Sequence, residues 1–212
     1  MQVSIHINNL GKKFVNEWIF KNLTLTITPA AKLVILGANG SGKSTLLQSI
    51  ASFLIPTKGE VVWKNDTQAI EDDTIYKYLS MASPYMELIE DFTLTETIEH
   101  QAKFKPFVNN LSATEVIKLM QLDHASEKYL KNYSSGMRQR VKLGLAILAD
   151  CPVLLLDEPC SNLDTNAINW YQNMINEFAQ QKTVIVCSNA VKEEYLFCTN
   201  KIEIENHKSI KA

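Results

Sequence analysis

The sequence predicts an α/β domain: a mainly parallel sheet, an antiparallel β-rich edge on the N-terminal side, and a helical subdomain inserted ahead of the last third. Three observations carry that prediction. Short, continuously apolar runs at 32–36, 153–156 and 183–187 suit strands buried on both faces. Alternating apolar and polar residues at 3–7 and 23–27 suit half-buried strands. From Thr93 to about Ile147 the apolar spacing becomes helical. With 212 residues, 46% of them hydrophobic, the chain is long enough for one domain with its own core. Its parts are 1–81, the β-rich edge and a glycine loop; 82–148, a loop and the helical subdomain; and 149–212, two buried strands and a terminal hairpin.

Along the chain, two alternating strands precede the buried strand 32–36, which stops at Gly37. GANGSGKST follows and leads into LLQSIASFL, whose apolar residues at 46, 47, 50, 53 and 54 have helical spacing. Pro56, Lys58 and Gly59 punctuate the chain before a strand at 60–64, and 75–81 reads as a further strand. In the helical stretch, 95–103 has an acidic first turn, Ser112 and Glu115 have capping-box spacing, and 136–148 continues the pattern. Then come a buried strand ending in Asp157-Glu158, a helix at 165–180, the buried strand KTVIVC, and KIEIENHKSI as a hairpin.

Composition excludes several classes. Lys plus Arg (21) against Asp plus Glu (23) leaves a net charge of -2, unlike the basic balance of a dedicated nucleic-acid binder. No run approaches the ~18 apolar residues of a membrane helix, and the N-terminal residues alternate rather than forming a secretory signal. Cys151, Cys160, Cys187 and Cys198 form no C-x-x-C pair and have no His at zinc spacing, so they read as reduced thiols of a cytosolic protein.

Gly37-Ala38-Asn39-Gly40-Ser41-Gly42-Lys43-Ser44 fits G-x-x-x-x-G-K-[ST], followed by Thr45. Glycines let such a loop turn its backbone N–H groups, with those of the following helix, toward phosphates. Lys43 supplies a point charge to the β and γ phosphates, and the Ser44 hydroxyl is placed to ligate Mg²⁺. The core is thus a P-loop NTPase core. The strand 153–156 delivers Asp157, which would hold Mg²⁺ through its water shell, and Glu158, which would polarise the attacking water.

Tyr133-Ser134-Ser135-Gly136-Met137-Arg138-Gln139-Arg140 resembles the L-S-G-G-Q-x-Q-R signature of the ATP-binding cassette (ABC) family, and it contains both arginines of the chain. The resemblance spans nearly the whole sequence. It implies that the start of the signature helix, with Ser134 and Gly136, closes over ATP held by a partner subunit, so that two chains sandwich two nucleotides head to tail. Ser161-Asn162-Leu163-Asp164 matches the family's D-loop, which implies that Asp164 lies near the opposite nucleotide; an isolated S-x-L-D is otherwise a helix cap. Phe14 matches the aromatic that stacks on adenine, with packing against the sheet as the other reading and Trp18 as a second candidate. The family's fold, ATP and Mg²⁺, a membrane partner and a cytoplasmic place on the inner face of the cell membrane all follow from the same resemblance.

The sequence departs from the family at two points. The strand ending near Met81 should lead to a glutamine, yet Ala82-Ser83-Pro84-Tyr85 follows, and the strand 183–187 should lead to a switch histidine, yet Ser188-Asn189 follows. Asn189 can donate a hydrogen bond but cannot carry a proton in the physiological range. Acid–base groups contribute typically ~10²–10⁴ in rate, so ATP binding is expected to outlast fast hydrolysis. Ser135 also replaces the first signature glycine. Tyr85, Met86, Leu88, Ile89 and Phe92 crowd the segment where the family receives a coupling helix; their other reading is packing within the helical subdomain. The expected function is the ATPase subunit of a membrane transporter, dimeric and without nucleic-acid partners. The alternatives are a low-turnover ATP-dependent clamp and a cassette acting away from membranes.

Overall fold

The computed structural model describes residues 2–66 and 68–208. Strands β1 (Val3–Phe14), β2 (Glu17–Ile27), β4 (Lys58–Asn65) and β5 (Gln68–Ala69) form an antiparallel sheet ordered β2-β1-β4-β5. Strands β6 (Leu79–Ala82), β7 (Val153–Asp157), β8 (Thr183–Ser188), β3 (Lys32–Leu36) and β9 (Asn200–Glu203) form a second sheet in that order, with every pairing parallel. Helix α1 (Lys43–Ile50) follows β3. The helices α2 (Leu94–Phe104), α3 (Ala113–Met120) and α4 (Ser135–Leu148) fill the insertion, and α5 (Thr165–Phe178) joins β7 to β8.

The two-residue period of the apolar strands sorts their side chains into two cores. Val34, Leu154, Leu156, Val184 and Val186 face the helical subdomain and α5, while Leu33, Ile35, Leu155, Ile185 and Cys187 face α1 and the antiparallel sheet. Helix α1 is therefore clamped between the two sheets through buried Leu46, Leu47 and Ile50, and the Trp63 indole N–H donates to the Ile50 carbonyl at 2.8 Å. In the insertion, Thr93 and Ser112 form capping boxes with Glu96 and Glu115, which fix where α2 and α3 begin. At the N-terminal edge of the parallel sheet, buried Lys182 donates to the carbonyls of Ile147 (2.7 Å) and Ala149 (2.6 Å) past the end of α4. Its burial lowers the Lys182 pKa to about 8.

Three local expectations are corrected. Helix α1 stops at Ile50 rather than running through Leu54, because Ser52 takes a left-handed φ of 59° and leaves Phe53 exposed. The segment 75–81 is not one strand: Asp72–Lys77 winds as a 3₁₀ helix with Asp72 and Asp73 in its first turn, and only Leu79–Ala82 is extended. No hairpin forms within the described part of KIEIENHKSI, where β9 pairs in parallel with β3 and Ile204–His207 turns as a 3₁₀ helix. Ser209 and Ile210 lie outside the described residues.

Candidate functional site

The order β6-β7-β8-β3 brings four chain segments to the C-terminal edge of one sheet. From β6 comes Ser83, from β7 Asp157 and Glu158, from β8 Asn189, and from β3 the glycine loop. Gly42, in the left-handed region at φ 102°, turns that loop into α1, and a Cβ there would lie 2.2 Å from Ile19 Cγ2. Only glycine fits both the φ and the contact.

Lys43 is 4% exposed, and its Nζ donates to the carbonyls of Gly37 (2.9 Å) and Ala38 (3.0 Å) while lying 3.8 Å from Glu158 Oε1. Glu158 itself sits at a positive φ of 45°, held by its N–H donating to the Cys187 carbonyl at 3.0 Å. Backbone in this region costs roughly 1–3 kcal/mol and is retained where the surroundings demand it. Asp157 is 1% exposed; burial raises its pKa, against the Ser44 hydroxyl, Lys43 and Ser83. The Ser83 hydroxyl lies 3.4 Å from Asp157 Oδ2, and Asp157 Oδ1 is buried with no hydrogen-bond partner among the described residues. Asn189 donates from Nδ2 to Asn39 Oδ1 at 3.2 Å, tying the segment after β8 to the glycine loop.

Beside Gly40 and Ser41 a pocket of about 470 Å³ extends to the β1–β2 hairpin, where Asn16, Glu17, Trp18 and Ile19 line it. Phe14 does not line this pocket. It is 46% exposed at the hairpin's end, with Lys12 Nζ 5.1 Å from its ring centroid. Of the two aromatic candidates, Trp18 is the one that lines the pocket.

A second pocket, about 400 Å³, joins Ser134, Ser135, Gly136 and Arg140 to Asn162 and Asp164. Ser134 caps α4, its hydroxyl accepting from the Met137 N–H at 3.2 Å. Gly136 permits close approach, since a Cβ there would lie 3.0 Å from the Asn162 carbonyl. Asp164 caps α5, with Oδ1 accepting from the Ala167 N–H at 2.8 Å, so the helix-cap reading of this aspartate holds within one chain. A third hollow, about 350 Å³, includes Met81, Met86, Leu88, Ile89, Phe104 and Leu145. Tyr85 is 78% exposed at its side, and Arg138–Glu90 and Lys131–Asp91 ion pairs, each 2.9 Å, pin the loop to the helical subdomain.

Two residues at this edge escaped sequence reasoning. Glu205, after β9, accepts the Ala38 N–H at 2.8 Å, and Glu194, 2% exposed, accepts the Cys160 N–H at 3.2 Å. Burial raises the Glu194 pKa to about 7, opposed by Ser188 and the Cys160 N–H and reinforced by Glu158 and Asp157. Neither carries a motif, since both act across the fold.

A glycine loop, a buried aspartate beside it and the Asn189 amide on adjacent strand ends define a nucleoside-triphosphate-binding fold. The "ABC transporter" family description matches residues 20–161, and the chain belongs to that family as an ATP-binding, ATP-hydrolysing subunit of a transporter. It is 24% identical over 204 residues to the uncharacterized ABC transporter ATP-binding protein YybJ of Bacillus subtilis, covering 96% of this chain and 93% of that one. It is 30% identical over 169 residues to the sulfate/thiosulfate import ATP-binding protein CysA of Nitrosomonas europaea, covering 76% of this chain but 46% of CysA. Its fold is that of the dimeric bacterial ABC transporter cassette MJ0796 (TM-score 0.80, 23% identity, 94% of both chains). A post-hydrolysis dimer of the same cassette with ADP and Pi also superposes at TM-score 0.80, with 25% identity and 94% of both chains covered.

Proposed function

We propose that this chain works as a single ATPase domain that dimerises head to tail on ATP and drives a separate membrane subunit from the inner face of the cell membrane. ATP would lie with its base toward the β1–β2 hairpin, against Trp18 or Phe14, and its phosphates on the amides of residues 39–45. The observation that carries the reading is the meeting of Lys43, Glu158, Asp157 and Asn189 at one sheet edge. On ATP binding Lys43 exchanges its two loop carbonyls for phosphate oxygens. Glu158 orients the attacking water, and Asn189 donates its amide to the γ-phosphate.

The residues present fit a magnesium ion. Asp157 Oδ1 is a buried acceptor without a hydrogen-bond partner among the described residues, and Ser44 lies close to this carboxylate. Among the described residues no three His, Cys, Asp or Glu gather as a metal cluster, so Asp157 and Ser44 would hold the ion together with phosphate oxygens and water. When bound, it neutralises charge between the β and γ phosphates. Ser83, whose hydroxyl lies 3.4 Å from Asp157, would take the place of the missing loop glutamine on this reading, with a shorter reach into the site. Together with Asn189 it favours slow turnover, and it motivates the second reading, a low-turnover clamp.

In the facing subunit, Ser134, Ser135 and Gly136 would close over the γ-phosphate, and the hollow flanked by Tyr85 would receive the membrane partner. The deciding experiment is steady-state ATP hydrolysis across protein concentrations for wild type, Lys43→Ala and Glu158→Gln. Concentration-dependent turnover abolished by both changes, with Glu158→Gln trapped as an ATP-bound dimer, is expected. Turnover unaffected by Glu158→Gln would refute the hydrolytic reading.

A further inference from the structure

Two segments, α4 and the turn after β8, converge on Pro159 and Cys160, just beyond Glu158. From α4, buried Gln139 donates Nε2 to the Pro159 carbonyl at 2.9 Å. From the turn after β8, Glu194 Oε1 accepts the Cys160 N–H at 3.2 Å, and the Cys160 carbonyl in turn accepts the Leu163 N–H at 3.1 Å. Glu194 is held from α5 as well, where the Tyr171 hydroxyl donates to its backbone carbonyl at 2.8 Å. The Ser188 hydroxyl receives the Val191 N–H at 3.2 Å and donates to the Val191 carbonyl at 3.4 Å, and the Glu194 N–H donates to that same carbonyl at 3.2 Å, so the turn carrying Asn189 is closed onto the residue that bears the carboxylate.

A carboxylate is an expensive choice for this place. Burying it costs several kcal/mol before its bonds are counted. An apolar side chain would pack the gap between β8 and α5 without that cost. Glu194 Oε2 moreover is buried with no hydrogen-bond partner among the described residues. Stability alone does not account for a group that costs this much and is half satisfied. What it does provide is a direct bond between two loops that each reach a different nucleotide in the dimer.

We infer that Glu194 is a positioning residue that holds the Asn189 turn and the 158–164 loop as one unit, so that phosphate contact at Asn189 sets the dimer-facing loop. The inference rests on the functional reading above. It makes Glu194 neither a ligand of ATP nor a participant in the chemistry. Its removal therefore spares ATP affinity and acts on the step that follows binding.

The test compares full-length wild type with Glu194→Gln, which keeps an acceptor for the Cys160 N–H, and Glu194→Met, which fills the same space without one. Three quantities are read: ATP affinity, turnover per bound ATP, and amide hydrogen exchange of residues 158–164 with and without ATP. Glu194→Gln is expected to stay within about threefold of wild type in all three. Glu194→Met keeps its ATP affinity, loses roughly tenfold or more in turnover, as the loss of a hydrogen bond to a charged group implies, and shows no ATP-dependent slowing of exchange in the loop. Ser188→Ala, which leaves the carboxylate but removes the hydroxyl that closes the Asn189 turn on Val191, gives a milder version of the same split and serves if the methionine variant does not fold. Wild-type turnover and loop protection in Glu194→Met or, failing that, in Ser188→Ala would overturn the inference. A wild-type chain that binds ATP but neither hydrolyses it nor dimerises refutes the functional reading instead, and the exchange comparison still decides this one.

Discussion

Gly42→Ala isolates the backbone requirement of the phosphate loop. At φ 102° an alanine is forced into a region that costs L-residues roughly 1–2 kcal/mol. Its Cβ, 2.2 Å from Ile19 Cγ2, adds an overpacking cost of about 1–3 kcal/mol. The two contributions predict a total loss of about 2–5 kcal/mol in unfolding free energy, read by urea denaturation of the nucleotide-free chain. They are separable because only the second involves Ile19. The double variant Ile19→Ala/Gly42→Ala should recover the steric share, giving a coupling energy of about 1–3 kcal/mol in a double-mutant cycle, while the backbone share persists. ATP affinity should fall at least tenfold in both, since the displaced amides no longer converge on the phosphates. A loss below about 1 kcal/mol for Gly42→Ala, or strict additivity with Ile19→Ala, would refute the reasoning.

Asn189→His should leave ATP affinity nearly unchanged and alter turnover; a large loss of affinity with unchanged turnover would show that Asn189 does not occupy the switch position. Trp18→Ala should weaken ATP binding more than Phe14→Ala in an equilibrium titration, because Trp18 lines the pocket beside Gly40 and Ser41 and Phe14 does not; the opposite ranking would return the adenine to Phe14. Glu194 governs part of the pH dependence of stability. A carboxyl whose pKa rises from 4.5 to about 7 on folding holds more protons in the folded chain, so its contribution is fully present below about pH 4.5 and is lost as pH rises to about 7. Relative to Glu194→Gln, wild type should lose up to roughly 3 kcal/mol across that window in denaturation experiments, and parallel pH profiles would contradict it.

The apolar runs made the parallel sheet legible, because a strand buried on both faces has no polar alternation to confuse with a surface. The glycine loop and Asp157-Glu158 were legible for a different reason: their chemistry requires contiguous residues. Phe14 and Trp18 could not be separated by spacing, since a two-residue turn between β1 and β2 decides which ring faces the loop. The segment 75–81 misled because Ile75 and Tyr78 have a strand's apolar character while the acidic pair ahead of them starts a 3₁₀ helix. Glu194 and Glu205 were invisible: each bonds a backbone N–H far away in sequence, and an isolated glutamate carries no pattern that reports such a partner.

The place of β3 in its sheet has a consequence for synthesis on the ribosome. The strand that carries the phosphate loop is made early, yet both of its hydrogen-bonded neighbours, β8 and β9, are translated after the whole helical insertion and β7. Until they emerge, Lys32–Leu36 is an apolar segment with two unpaired edges, the kind of surface that aggregates or recruits chaperones. Vectorial folding can complete the β1–β2 hairpin and the β1–β4 pairing first. The nucleotide pocket closes among the last events, so a nascent chain stalled before β8 has its complete glycine motif but no sheet to aim it.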